Sequence, residues 1–214
     1  HPQHYSTAAD LARLAAALIR DFPDNYQLYS LREYRYNNIT QPNRNRLLWI
    51  DPYVDGVKTG HTDAAGWCLI ASAKRGERRL LAAVLGAASD GVRTTEAQKL
   101  LNHGFQAFDL VQLYPSGKPV SSLRVWKGES NEVATGFAAD QHVTLPKGKA
   151  EKLALSMTAT EPLLAPVIKG QRVGTVRVSF EGAPLAEFAL VALADVPAAS
   201  MLGRAWDTVR LWFK

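Results

Sequence analysis

The sequence has very little cysteine and no long apolar run. Cys68 is the single cysteine among 214 residues, so no internal disulfide can form, and no cysteine–histidine spacing suits zinc. No apolar stretch approaches the ~20 residues that span a bilayer. Cys68 lies within an apolar run, which predicts a buried structural thiol. We therefore expect neither a disulfide scaffold nor a transmembrane helix, and the sequence gives no sign of a metal or a cofactor.

Concentrated charge of one sign is also absent. Residues 1–110 hold 13 Lys and Arg against 11 Asp and Glu, and residues 111–214 hold 12 against 9. A nucleic-acid-binding surface needs a clustered basic patch. The nearest candidate, residues 74–79, is better explained as a charged hairpin tip between two apolar strands. Nucleic acid is therefore not an expected partner, and the length allows one large or two small globular domains.

Residues 55–62, Asp-Gly-Val-Lys-Thr-Gly-His-Thr, carry the most informative motif. Because successive side chains of a strand point to opposite faces, Lys58 and Gly60 would share one face and Thr59 the other. A glycine beside a groove lets a substrate backbone approach closely. A lysine there supplies positive charge for a carboxylate or helps to move a proton. A solvated turn lysine is the alternative, because three common residues also recur by chance.

The first half of the chain has the periodicity of a helix, a sheet and a second helix. Ser6 or Thr7 can cap an amphipathic helix that ends before Pro23, and Asn37 with Asn38 marks a turn. Residues 46–50 suggest a short strand. Residues 66–73 and 79–86 predict a hairpin with a glycine in its loop, whose second strand is apolar enough to be covered on both faces. A helix is predicted over residues 94–108.

The second half changes character after Asp109. Seven of the 11 prolines lie from Pro115 onward, and short β-prone runs alternate with turn signals, which predicts a small all-β domain. Residues 198–214 have helical amphipathicity, with apolar positions within an arc of about 140° at ~3.6 residues per turn. The predicted fold class is α+β, with boundaries at residues 1–109, 110–197 and 198–214.

The order of motifs resembles a known family. Residues 39–49 read IT-Q-x-NRN-x-LLW, followed by VDG-x-KTGHT at 54–62 and by RRL-x-x-A-V-x-GA at 78–87. Lys-Thr-Gly is a signature of penicillin-binding proteins and serine β-lactamases. The series resembles the D-alanyl-D-alanine carboxypeptidases, the low-molecular-weight penicillin-binding proteins of the 5 and 6 type. The resemblance implies a transpeptidase/β-lactamase-like domain, a β-rich domain and a terminal amphipathic helix.

One part of the family pattern is not found. The Ser-x-x-Lys motif with the nucleophile and the Ser-x-Asn motif both precede Lys-Thr-Gly in the family, and neither stands upstream of Lys58. We therefore expect the chain to be the C-terminal part of such an enzyme, inactive alone, with the missing N-terminal part of the catalytic domain as its partner. The enzyme implied removes the terminal D-alanine from peptidoglycan pentapeptides through an acyl-enzyme and is acylated by β-lactams.

The resemblance also assigns site residues. It implies that the catalytic residues of this chain are Lys58, Thr59, Gly60 and His61, with the His61 backbone N–H as an oxyanion donor. Lys58 and Thr59 would also bind the substrate carboxylate, together with Arg44 and Arg93, whose guanidinium groups offer paired donors. A purely structural His61 and structural ion pairs at the two arginines are the competing interpretations. We place Arg93 just before a helix, where a cation needs a specific partner.

The terminal segment and the cellular location follow from the same resemblance. Aromatic residues on the apolar side and arginines on the polar side suit a helix lying in a membrane surface. The predicted location is the periplasm, on the outer face of the inner membrane. The predicted anchoring residues are Met201, Leu202, Trp206, Val209, Trp212 and Phe213. A helix docked on the β-domain is the alternative for the segment. A non-catalytic cell-wall or membrane-binding module and a β-lactamase are the alternatives for the function.

Overall fold

The computed structural model describes residues 5–201 and Asp207. The chain divides between Phe108 and Asp109 into two compact units. The structure has mixed α and β content, as the predicted α+β class requires. No helix of the described part is long and apolar enough to cross a membrane.

The first unit begins with helices and a small hairpin. Helix α1 (Ala8–Asp21) is capped by Thr7, whose hydroxyl accepts the amide of Asp10, and α2 (Pro23–Tyr26) follows. A single 3-10 turn then leads to β1 (Glu33–Tyr36) and β2 (Ile39–Pro42). Asn37 and Asn38 join these strands with φ of 46° and 60°, a conformation that asparagine tolerates. The turn predicted at these two residues is confirmed.

A three-stranded antiparallel sheet and α4 form the body of this unit. The strands are β3 (Val54–Thr62), β4 (Gly66–Arg75) and β5 (Arg78–Ala87), in that order. Helix α4 (Asp90–Ala107) packs on one face, where Leu69, Ala97 and Leu101 share a core. On the other face Ile70 packs with Ala15 of α1. The central strand is thus covered on both sides, and the predicted hairpin of β4 and β5 is confirmed.

Two local predictions for the first unit are wrong. Residues 46–50 are not a strand, because α3 (Leu47–Ile50) is a short helix whose first amide, that of Leu47, donates to the Asn45 side chain at 3.2 Å. Helix α4 begins at Asp90 rather than at residue 94, since Ser89 accepts the amide of Val92 and caps the helix. Arg93 therefore lies inside the first turn of α4 and not before it.

The second unit is rich in β-structure. Strands β7 (Ser121–Trp126), β8 (Glu132–Gly136), β10 (Leu153–Ala159), β11 (Leu163–Leu164), β12 (Arg172–Phe180) and β13 (Ala183–Ala192) form one sheet in the order β10-β12-β13-β8-β7-β11. Strands β6 (Phe108–Tyr114) and β9 (Gln141–Pro146) form a second. The fully buried Phe137 lies in the largest core of this unit. The terminal helix predicted for residues 198–214 falls, except for its first residues and Asp207, outside the described residues.

Candidate active-site groove

The Lys-Thr-Gly sequence lies on an edge strand. Among the described residues, β3 pairs only with β4, in a register that sets Lys58 opposite Ile70 and Thr59 opposite Leu69. Residues directly opposite each other share a face of the sheet. Lys58 therefore lies on the face that packs toward α1, and Thr59 lies on the face that packs toward α4. The strand thus offers one hydrogen-bonding edge and two chemically different faces to a ligand.

A groove of about 710 Å³ runs along this strand. All six residues that the sequence assigns to the site line it: Arg44, Lys58, Thr59, Gly60, His61 and Arg93. Residues that sequence reasoning did not single out complete the wall: Pro42, Asn43, Arg46, Trp49, Trp67 and Asp90. Strand β2, helix α3, strand β3 and the start of α4 therefore meet at one concave surface.

The groove is electropositive. Arg44, Arg46, Lys58 and Arg93 contribute four cations, and Asp90 contributes the one carboxylate of the lining. The ammonium group of Lys58 is exposed and donates to the Thr59 carbonyl at 2.5 Å. Arg44 is exposed and makes no hydrogen bond or ion pair with any other residue that the structure describes. Arg46 and Arg93 both pair with Asp90. Lys58 and Arg44 are therefore the two cations of the lining that are available to a carboxylate ligand.

Arg93 has a different position, buried behind the strand. Its side chain is only 3% exposed, and its guanidinium donates to the carbonyls of Gly60 and Cys68 at 3.0 and 3.2 Å. It also pairs with Asp90 at 2.6 Å, which offsets the unfavourable charge near the helix N-terminus. These contacts hold β3 and β4 against the first turn of α4. Contact of Arg93 with substrate stays a prediction.

The Asp90 carboxylate links the two arginines that line this end of the groove. Its second oxygen lies 2.6 Å from the Nε atom of Arg46, while the first accepts the Nε–H of Arg93 at 2.9 Å. The sequence hides this arrangement because Arg46 and Asp90 are far apart in the chain and neither belongs to a recognised motif. The structure therefore adds a charge bridge between the segment before α3 and the start of α4.

His61 stacks on an aromatic ring that the motif does not contain. The imidazole of His61 and the indole of Trp67 lie 4.0 Å apart with an interplanar angle of 15°, and the Arg93 guanidinium lies 5.0 Å from the same indole. His61 Nδ1 lies 3.1 Å from the Gly66 carbonyl oxygen. The β3–β4 register explains the stack, because His61 and Trp67 are direct cross-strand partners. The catalytic role of His61 stays a prediction.

Cys68 is less buried than its apolar neighbours suggest. It is only partly exposed to solvent, not buried, and its cross-strand partner is Gly60. Because glycine has no side chain, nothing from β3 covers the thiol. The prediction of a buried thiol is therefore wrong. The reason is Gly60, which has no side chain to cover Cys68 and which also leaves space beside the groove.

A buried polar cluster supports the start of β3. Asp55 accepts the Tyr26 hydroxyl at 2.8 Å and Arg79 at 2.7 Å, and Arg79 also donates to Ser72 at 2.6 Å. Burial raises the pKa of Tyr26 well above its ordinary range, so the phenol remains a donor. The hydrogen bond that Arg79 donates to the Asp55 carboxylate raises the pKa of Arg79. The cluster connects α2, β3, β4 and β5, and its β3 member, Asp55, lies three residues before Lys58.

The close approach of Tyr26 to Gly56 gives a prediction on stability. A Cβ at Gly56 would lie 2.4 Å from the Tyr26 hydroxyl, so Gly56→Ala must displace the ring and its bond to Asp55. Overpacking of this kind costs about 1–3 kcal/mol. We expect a lower thermal unfolding midpoint for Gly56→Ala. Gly60→Ala is the matched control in the same strand, because its nearest neighbour is the Cys68 Cβ at 4.0 Å. Equal midpoints for the two variants would contradict the prediction.

The edge strand, its Lys-Thr-Gly sequence and the electropositive groove define one wall of a site for an anionic ligand. Comparison with known proteins supports one family. Residues 1–89 match the family described as D-alanyl-D-alanine carboxypeptidase, and residues 108–198 match the penicillin-binding protein 5 C-terminal domain. The resemblance found in the sequence is therefore confirmed.

Individual relatives agree with this assignment. The chain is 42% identical over 214 residues to the D-alanyl-D-alanine carboxypeptidase DacC of Escherichia coli (strain K12), covering 99% of this chain and 54% of that protein. It is 40% identical over 216 residues to DacA of Haemophilus influenzae, covering 55% of that protein. The structure of penicillin binding protein 5 from Haemophilus influenzae matches with a TM-score of 0.83 and 39% identity, over 92% of this chain and 58% of that one. The chain thus spans about half the length of its curated relatives.

Proposed function

We propose that this chain supplies one wall of the active site of a serine-type D-alanyl-D-alanine carboxypeptidase. The observation that carries the proposal is the position of two exposed cations, Lys58 and Arg44, beside the Lys-Thr-Gly edge strand. Neither forms an ion pair with another residue that the structure describes. The substrate proposed is a peptidoglycan pentapeptide, whose terminal D-alanine ends in a carboxylate. The nucleophilic serine and its lysine base would come from a segment outside these 214 residues.

Each residue of the wall has a proposed part in the reaction. Lys58 and Thr59 bind the substrate carboxylate or the proton network around the serine, and Arg44 adds a second cation. The His61 backbone N–H donates to the oxyanion as the serine attacks the carbonyl between the two D-alanines. Such a donor contributes about 10²–10³ in rate. Gly60 leaves room for the substrate backbone, since nothing but the Cys68 Cβ approaches its missing side chain. Water then hydrolyses the acyl-enzyme.

The test of the function is D-alanine release. The whole protein that contains this chain is incubated with a peptide ending in D-Ala-D-Ala and, separately, with the same peptide ending in L-Ala-L-Ala. We expect release of one D-alanine per peptide from the first and no release from the second, together with inhibition by penicillin. A purified, folded whole protein that releases no D-alanine would contradict the proposal.

We also propose that the protein lies in the periplasm at the outer face of the inner membrane. The support is the amphipathic pattern of residues 198–214, whose apolar arc holds two tryptophans and a phenylalanine. Five of the six proposed anchoring residues, Leu202, Trp206, Val209, Trp212 and Phe213, lie outside the described residues. Met201 is described, and it is 87% exposed.

Flotation with liposomes tests the membrane proposal. The whole protein is compared with a version truncated after Pro197, using vesicles of phosphatidylglycerol and phosphatidylcholine in equal parts. We expect the complete protein to float and the truncated one to remain at the bottom, because the interfacial helix is the only anchor proposed. If the whole protein and the truncated version both float, or if neither floats, the proposal that residues 198–214 anchor the protein is contradicted.

A further inference from the structure

Arg93 reaches the backbone of the Lys-Thr-Gly strand from the side of α4. Its Nη1 atom donates to the carbonyl of Gly60 at 3.0 Å and to the carbonyl of Cys68 at 3.2 Å. Gly60 and Cys68 are direct partners across β3 and β4, so this nitrogen atom lies between the two strands. Because one nitrogen reaches both carbonyls, the Gly60 carbonyl points toward β4.

The direction of the Gly60 carbonyl determines the direction of the next backbone N–H. The peptide bond between Gly60 and His61 is trans, and the C=O and N–H groups of a trans peptide point in opposite directions. The His61 N–H therefore points away from β4, toward the edge of β3 that no described strand occupies. His61 lines the groove, and its N–H is the donor that the proposed function assigns to the oxyanion.

Asp90 sets the plane of the Arg93 guanidinium. The Nε–H of Arg93 donates to one carboxylate oxygen at 2.9 Å, and the Nη2 atom lies 2.6 Å from the same oxygen. Because the guanidinium is planar and rigid, this pairing directs Nη1 to the opposite side, where the two carbonyls lie. A cation in the first turn of a helix is unfavourable without such a partner. The orientation of Arg93 thus depends on Asp90.

The contacts of Arg93 differ from those of an arginine that is open to a ligand. Arg44 is exposed on the groove, whereas the Arg93 side chain is 3% exposed and directs its N–H groups at protein acceptors. Its guanidinium also lies 5.0 Å from the indole of Trp67, the ring that stacks on the His61 imidazole. Arg93 therefore contacts the peptide that precedes His61 and the ring that packs on its side chain.

We propose that Asp90 and Arg93 are positioning residues for the oxyanion donor, which hold the Gly60–His61 peptide with its N–H directed away from β4. This inference rests on the proposed function, because the His61 N–H has this task only in an acyl-transfer site. A donor that is already oriented needs no reorganisation when negative charge develops on the substrate carbonyl oxygen. Loss of the orientation should therefore slow the chemical step and leave the binding of the ligand unchanged.

Acylation kinetics of the whole protein with penicillin test the inference. We expect Asp90→Asn and Arg93→Lys each to lower the acylation rate at saturating penicillin by ~10–100-fold, since a displacement of about 1 Å can cost about 10²-fold. The half-saturating penicillin concentration should not change, because Lys58 and Arg44 still bind the carboxylate. Arg93→Lys keeps the positive charge and loses the paired donors, so it separates orientation from charge.

Glu96→Gln is the matched control on the same helix. The Glu96 side chain is 47% exposed and pairs with Lys99 at 2.8 Å, so the change removes one carboxylate from α4 outside the groove lining. We expect wild-type kinetics from this variant. If Arg93→Lys does not fold, Asp90→Asn decides alone, because the Asp90 side chain is 21% exposed and asparagine has nearly the same size.

Two results would overturn the positioning role. The first is a wild-type acylation rate in Asp90→Asn or in folded Arg93→Lys. The second is a higher half-saturating penicillin concentration in either variant, which would mean that the pair binds the ligand itself. Failure of the proposed function gives a different result, because the wild-type whole protein would then not be acylated and the inference would fall with it.

Discussion

Replacing Lys58 by alanine is expected to slow acylation of the whole protein by penicillin by about 10²–10³-fold, the range typical of one lost electrostatic contact in an acyl-transfer site. Lys58 is exposed, and among the described residues the neighbouring Thr59 carbonyl is the one acceptor of its ammonium group. Removal of an exposed side chain usually changes stability within about 0.5 kcal/mol. The loss should therefore be chemical, with the thermal unfolding midpoint nearly unchanged.

A second lysine provides the control for this experiment. Lys74 is also exposed on the same sheet, near the β4–β5 turn, where its nearest carboxylate is Glu77 at 4.0 Å. Lys74→Ala changes the net charge equally but lies outside the groove lining. We expect it to be acylated at the wild-type rate. If Lys58→Ala is acylated as fast as Lys74→Ala, Lys58 has no part in the chemistry.

The 214-residue chain alone is expected to form no covalent adduct with penicillin. None of its serines begins a Ser-x-x-Lys or a Ser-x-Asn sequence, so the nucleophile and the proton-transfer serine of the family pattern are both absent. The proposed wall offers cations to a carboxylate, but the serine that attacks the β-lactam carbonyl in the family pattern is not among its residues. Intact mass spectrometry measures the outcome. We expect the mass of the 214-residue chain to be unchanged after incubation with penicillin.

The whole protein, treated in parallel, is the positive control for that measurement. Its adduct shows that the antibiotic is active, and heat-denatured whole protein shows that labelling requires a folded site. A stoichiometric adduct on the 214-residue chain would contradict the assignment of the nucleophile to another segment. It would point instead to a reactive group among the residues of this chain.

The turn at Asn37 and Asn38 and the Lys-Thr-Gly strand could be predicted because their signals are local. Asparagine tolerates positive φ, and the Lys-Thr-Gly motif is followed by apolar, β-prone residues that pair with it in the structure. The position of α3 could not be predicted in the same way. Four apolar residues fit a strand or a buried helical turn equally well, and the side chain of Asn45 decides in favour of the helix.

The roles of Arg93 and Trp67 illustrate what the sequence conceals. The helix that holds Arg93 starts four residues earlier than its apolar periodicity suggests, because Ser89 provides the cap. The guanidinium then reaches the Gly60 and Cys68 carbonyls, which lie 33 and 25 residues away in the chain. Trp67 meets His61 only through the β3–β4 register. Contacts of this kind depend on tertiary packing and have no signal in a short sequence window.

The most direct test of the central claim is the location of the penicillin adduct in the whole protein. The acylated protein is digested, and the modified peptide is identified by mass spectrometry. We expect one adduct per molecule, on a serine outside residues 1–214, and we expect Lys58→Ala but not Lys74→Ala to slow its formation. An adduct on a residue of this chain, or no adduct on a folded whole protein, would contradict the claim that the Lys-Thr-Gly strand forms the wall opposite that serine.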